Sequence, residues 1–203
     1  MKRAKLSFWF TAALFLLLML VPIRAFGATY FANPGDNISA KLRVLKSGDT
    51  LIFNDGIYYQ LYISPGNGTA LHGAATAPIT LKAANDGKAI FDPAGTAEPI
   101  FITGSYYATL QGFVARNSSA SVVHIYGAGS RGQTNDHITL QRITAYNAGA
   151  ENNHVFNIEY PQTNILIEDC AAWGKAYPAA SPHGRAGSGG VLLGGRRCRV
   201  ACS

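Results

Sequence analysis

Apolar and polar residues alternate along this chain in short bursts, and no long stretch past the N-terminus has helical spacing. Three segments superpose: ATLQGFVARN from Ala108, ITLQRITAYN from Ile138 and ILIEDCAAWG from Ile165, at offsets of 30 and 27 residues. A fourth, CRVACS from Cys198, follows after 33 more and is expected to continue the series. Apolar columns (Ala108, Ile138, Ile165; Leu110, Leu140, Ile167; Phe113, Ile143, Cys170) alternate with a polar one (Gln111, Gln141, Glu168), as strands do with one buried and one wet face. A further short strand precedes each repeat: PIFIT at 99–103, VVHIY at 122–126, VFNIEY at 155–160 and GVLLG at 190–194. Parallel strands without crossover helices require the chain to coil on itself. The pattern therefore predicts an all-β fold, a right-handed parallel β-helix with at least two strands per coil. Asn117 and Asn147 share a column and are expected to bond in a ladder, with turn preference as the plainer explanation.

Upstream, Asp36 or Asn37 is expected to cap a short helix with Ile38, Leu42 and Leu45 on one face, stopped at Gly48. Such a helix would close the N-terminal end of the solenoid. MKRAK followed by the apolar run Leu6–Ile23 and RAFG has the layout of a signal peptide over 1–27, with an uncleaved anchor as the rival reading. The β-helix domain is then 28–203, secreted, periplasmic or at the cell surface. CRVACS stops inside a strand, so a β-helix incomplete at its C-terminus is expected.

Charge changes the picture less than the totals suggest. Of 17 Lys and Arg, four lie in the first 24 residues, and the 13 beyond face 11 Asp and Glu. That small excess argues against a nucleic-acid groove. Cys170, Cys198 and Cys202 have no zinc spacing, and Cys170 reads as a buried apolar side chain.

LKSGDTLIFNDGIY resembles the N-terminal signature of the pectin-lyase superfamily. APITLKAANDGKAIFDPAG and IFITGSYYATLQGF are similar to the early coils of its alginate lyase and chondroitinase B branch. The resemblance runs from about Ala28 to the C-terminus. It implies an exported polysaccharide lyase acting on uronic-acid polymers by β-elimination, with acidic polysaccharide as partner, calcium as cofactor and a monomeric state. In that branch a Lys and an Arg act on the uronate, and acidic and Asn side chains hold calcium. The branch's pair of Glu separated by one residue is absent here, so the site residues are chosen on chemistry. Lys175, His183 and Arg185, in the long irregular segment GKAYPAASPHGRAGSGG, are the catalytic candidates. His154 and Tyr160 are candidates for substrate contact, and Asn157, Glu159 and Glu168 for calcium. His124 should point outward and be solvated. Glu168 and Asp169 face opposite ways and make a poor hydrolytic pair. The competing function is a non-catalytic carbohydrate-binding or cell-surface β-helix.

Overall fold

The structure, a computed structural model, describes residues 27–127, 133–149, 154–159, 162–174 and 200–202. The chain winds through three parallel sheets in turn. Sheet A holds β1 (Thr29–Ala32), β2 (Thr50–Phe53), β5 (Ile79–Ala83), β8 (Tyr106–Gln111), β11 (Asn135–Gln141), β14 (Gln162–Glu168) and β16 (Val200–Cys202). Sheet B holds β3 (Gly56–Tyr58), β6 (Ala89–Phe91), β9 (Val114–Arg116), β12 (Thr144–Tyr146) and β15 (Ala171–Trp173). Sheet C holds β4 (Leu61–Ile63), β7 (Ile100–Ile102), β10 (Val123–Ile125) and β13 (Phe156–Ile158). This is a parallel β-helix. Each repeat read as one strand is in fact two, β8 and β9 for example, because the chain bends at Gly112 and Phe113 onto the next sheet.

The repeat offsets set the register. Ile138 lies opposite Ala108 and Ile165, and Leu140 opposite Leu110 and Ile167. Leu51, Leu81, Leu110, Leu140 and Ile167 thus form one buried inward column. Phe53, Phe91 and Phe113 pack edge to face in the interior with centroids 5.2–5.4 Å apart. Phe113 is followed in its column by Ile143 and Cys170, all buried, as the pattern predicts. The fourth repeat departs from expectation: β16 runs antiparallel to β14, keeping Val200 opposite Ile167 but reversing the rest.

The bends carry their own signature. Gly112, Arg142 and Asp169, at the corner between sheets A and B, all have positive φ, 77°, 51° and 52°. Asn117 and Asn147, at the corner after sheet B, have φ of 56° and 60°. Asn is among the side chains that tolerate this region. The ladder is also present: Asn147 Nδ2 donates to Asn117 Oδ1 at 3.0 Å, and Asn117 Nδ2 donates to both oxygens of Asp92 at 3.0 and 2.9 Å. Turn preference and ladder are one device here.

The N-terminal helix α1 spans only Ile38–Arg43. Asn37 is its N-cap, accepting from the Ala40 amide at 3.0 Å. Leu42 is buried, and Ile38 and Leu45 pack partly against the core. The helix ends at Val44 rather than at Gly48. A separate turn takes over there, in which Asp49, 5% exposed, accepts from the Lys46 and Ala28 amides at 2.8 and 2.7 Å. Gly48, with φ of 88°, belongs to that turn. Among the described residues no helix is long and apolar enough to cross a membrane.

Candidate functional site

Two outward faces gather chemistry-bearing side chains. On sheet C, Tyr62, Phe101, His124 and Asn157 occupy one register column across four coils. Tyr62 stacks on Phe101 with centroids 4.8 Å apart, and the His124 ring stands edge-on to Phe101 and Tyr126. His124 leaves the core face as expected but is not solvated: the residue is 9% exposed. Its Nδ1 donates to Glu98 Oε1 and Oε2 at 2.9 and 3.1 Å, and its Nε2 donates to Glu159 Oε1 at 3.0 Å. A neutral imidazole would turn a lone pair toward one of these carboxylates, so two ionised carboxylates on the two ring nitrogens favour the doubly protonated ring. Burial works against that charge, but the hydrogen bond and charge of Glu98, then those of Glu159, outweigh it and hold the pKa above the ordinary histidine value. Glu98 also accepts from the Ser121 amide at 3.2 Å, and Asn157 Nδ2 donates to Glu159 at 3.2 Å. With both nitrogens occupied as donors, His124 ties three successive coils and has no free lone pair to act as a base.

On sheet A the outward column is Lys82, Gln111, Gln141 and Glu168, one residue per coil and in register. Neighbouring strands lie about 4.8 Å apart, so this row repeats at that interval. Gln141 Nε2 donates to Glu168 Oε2 at 3.4 Å. Gln111, with its amide oxygen turned outward to the guanidinium, accepts from Arg142. Arg142 in turn reaches back over Gly112 to donate from Nε to Asp86 Oδ2 at 2.6 Å. Lys82 makes no hydrogen bond or ion pair among the described residues. Beside this column, on the same outward face, runs a second, of Thr80, Thr109 and Thr139. At the start of the strands, Asp136 accepts from Thr163 Oγ1 at 2.7 Å, Asn164 Nδ2 at 2.9 Å and His137 Nδ1 at 2.9 Å. Burial alone would raise its pKa, but these bonds and the His137 charge outweigh burial and hold it at about 2.

The structure brings two of the expected residues together: Asn157 and Glu159 share the His124 network on sheet C. Glu168 stands on sheet A. Calcium prefers six to eight oxygen ligands, and among the described residues no group of three or more His, Cys, Asp and Glu side chains could hold a metal ion. Of the three residues expected to hold calcium, Asn157 and Glu159 lie together on sheet C and Glu168 lies on sheet A. His154 is exposed, and its carbonyl accepts from the Val122 amide at 3.2 Å. Tyr160, Lys175, His183 and Arg185 lie outside the described residues, as do residues 1–26 of the segment 1–27 expected to be a signal peptide. Sequence reasoning missed Glu98, Lys82 and Arg142.

No protein-family model matches the chain, and no curated protein matches it in sequence. Solved structures do. The PL6 family alginate lyase AlyGC superposes with a TM-score of 0.54 at 12% identity, over 71% of this chain and 21% of that one. A mannuronic acid specific polysaccharide family 6 lyase from human gut microbiota superposes with a TM-score of 0.54 at 18% identity, over 73% and 34%. The shared property is the parallel β-helix. The chain spans about a fifth and a third of the length of these two structures, and at such identities the likeness speaks for fold alone.

Proposed function

We propose that this chain is an exported, lyase-like β-helix that binds uronic-acid polysaccharide along the outer face of sheet A and cleaves it by β-elimination. The observation that carries the reading is the row Lys82, Gln111, Gln141 and Glu168, with Arg142 beside it, repeated at one strand spacing. A polymer with a carboxylate on each sugar is matched by a flat face offering an ammonium, a guanidinium and a series of amides. Similar folds in the two lyases lend support.

In β-elimination a base takes the proton on the carbon next to the uronate carboxylate, and the bond to the glycosidic oxygen breaks as a carbon–carbon double bond forms. The leaving oxygen takes up a proton. The step needs a base, a neutralised carboxylate and an acid. We assign the base and acid to the segment containing Lys175, His183 and Arg185, and further sugar contacts to His154 and Tyr160. Lys82 and Arg142 hold carboxylates of neighbouring sugars.

The test is absorbance of the unsaturated uronate after mixing folded protein with mannuronate-rich alginate, guluronate-rich alginate, pectate and chondroitin in turn. A rise on one polymer, abolished by Lys175→Ala or Arg185→Ala, is expected. A chelator arm tests the calcium expectation separately. No rise on any polymer would sink the catalytic reading and leave binding of the same polymers as the competing one, measured by retardation in polysaccharide-loaded gels.

A further inference from the structure

At the N-terminal end a groove of about 420 Å³ lies between α1 and the corner that joins β3 to β4. Its apolar wall is Leu42, Ile57, Tyr58 and Tyr59, and its polar residues include Asp36, Asn37 and Gln60. The volume is at the small end of the range for small-molecule sites. Tyr59 is 60% exposed and Ile57 57% exposed, which is unusual for side chains this large.

These side chains share a pattern. Each is anchored by one atom. Tyr59 is fixed through its hydroxyl, 3.0 Å from Thr96 Oγ1, so an exposed ring is held in one orientation. Gln60 Nε2 donates to the Glu98 carbonyl at 2.8 Å, leaving Oε1 as a free acceptor. Asn37 Oδ1 accepts the helix-capping bond, leaving the two Nδ2 donors. Asp36 Oδ2 takes the Asn33 amide at 2.8 Å and Lys41 Nζ at 3.2 Å, which fixes the carboxylate in the groove wall. A flat aromatic face, a neighbouring aliphatic and fixed acceptors and donors are the complement of a pyranose, which has an apolar face and a rim of hydroxyls.

Charge selects among sugars. No Lys or Arg is among the residues lining the groove, and Asp36 is its one charged residue. The Asp36 carboxylate lies in the groove wall, and burial first, then the charges of Asp36 and Asp55, push the Tyr58 hydroxyl up to about 12. A uronate carboxylate would meet repulsion there.

We propose that this groove binds an uncharged pyranose unit of a neutral glycan, independently of the uronate reading for sheet A. The experiment titrates the full chain with cello-, manno- and laminari-oligosaccharides and with trimannuronate, by saturation-transfer NMR and calorimetry. One neutral series binds, with the transferred signal strongest on ring protons of a single face, and trimannuronate does not displace it. Tyr59→Ala weakens this binding about tenfold and Gln60→Ala about threefold. Whatever uronate cleavage the wild type shows is retained by both variants. Failure of every neutral series to bind, undiminished binding by Tyr59→Ala, or displacement by trimannuronate would each overturn the proposal. Should Tyr59→Ala fail to fold, Gln60→Ala and the displacement arm still decide. A chain with no uronate cleavage but intact neutral-sugar binding loses only the sheet A reading.

Discussion

The outer faces of sheets C and A are built by the same register rule and end in opposite states. On sheet C the column through His124 closes on itself: aromatic rings pack along it, and the one cation is held between two carboxylates at 2.9 and 3.0 Å. On sheet A the column through Lys82 stays open, with an ammonium at one end that has no partner among the described residues and amides between. The solenoid thus separates two uses of stacked polar side chains. Where opposite charges and rings fall in line, the column locks coils together. Where like amides fall in line, it leaves a surface for a repeating ligand.

The largest break in this comparison comes from His124→Ala. It leaves Glu98 and Glu159 facing each other across a partly buried gap, and should lower stability by about 3 kcal/mol, read as a fall in the urea midpoint. A triple variant that also replaces Glu98 and Glu159 by Gln should recover part of the loss, because the repulsion disappears with the charges. If His124→Ala unfolds at the wild-type midpoint, the closed column contributes nothing to stability.

The next effect is on pH. The folded-state pKa of His124 lies above the unfolded value of 6.5, so its stabilisation is full below about pH 6.5 and is lost as pH rises through the folded value. Stability should therefore decline as pH rises above about 6.5 in the wild type, and this decline should be absent in His124→Ala. Asp136, on sheet A, has the opposite sign. Its pKa of about 2 lies below the unfolded 3.8, so its contribution is present above pH 3.8 and fades as pH falls toward 2. The alkaline limb therefore reports sheet C and the acid limb reports sheet A.

The difference between the two faces also explains what could be read from the sequence. Inward columns were legible because a solenoid repeats them at nearly constant offsets, and Leu110, Leu140 and Ile167 needed only alignment. The ladder of Asn117 and Asn147 was legible for the same reason. The His124 network was not, because its three members sit at different positions within their coils: Glu98 precedes β7, His124 lies inside β10 and Glu159 follows β13. Outward alternation correctly took His124 off the core, but the period of a strand says nothing about which neighbouring carboxylates fold over it. The bend at Gly112 was hidden differently. Alternation continues through the corner, so two strands on two sheets read as one. Of the candidate site, Asn157 and Glu159 share the His124 network, while Glu168 stands on the other face because the chain passes from sheet C to sheet A between them.

A smaller break is expected at the corner that supports the open face. Gly112 has φ of 77°, and a Cβ there would stand 2.2 Å from Asp86 Oδ1. The carboxylate tip can swing away, so the clash itself is mild, but swinging releases Arg142. Gly112→Ala should cost about 1 kcal/mol from the left-handed backbone, and should free Arg142 to change polymer affinity without touching the His124 column. An unchanged alkaline limb with a shifted affinity would confirm that the faces are independent.

The smallest expected effect on stability is the most informative about the open column. The Lys82 side chain has no partner among the described residues, so Lys82→Ala should leave the urea midpoint within about 0.5 kcal/mol of wild type. If the ammonium serves a polymer carboxylate, the same change should raise the apparent KM for the cleaved polymer about two- to fivefold, as loss of one exposed ion pair would. The effect should shrink in high salt. Because Lys82 is assigned to holding a neighbouring sugar and not to proton transfer, kcat should be unchanged. A fall in kcat would move Lys82 into the chemistry and displace Lys175 from the base role. No change in either constant would mean that the row on sheet A is a solvated face, and the binding surface would then have to be sought on another side of the coil.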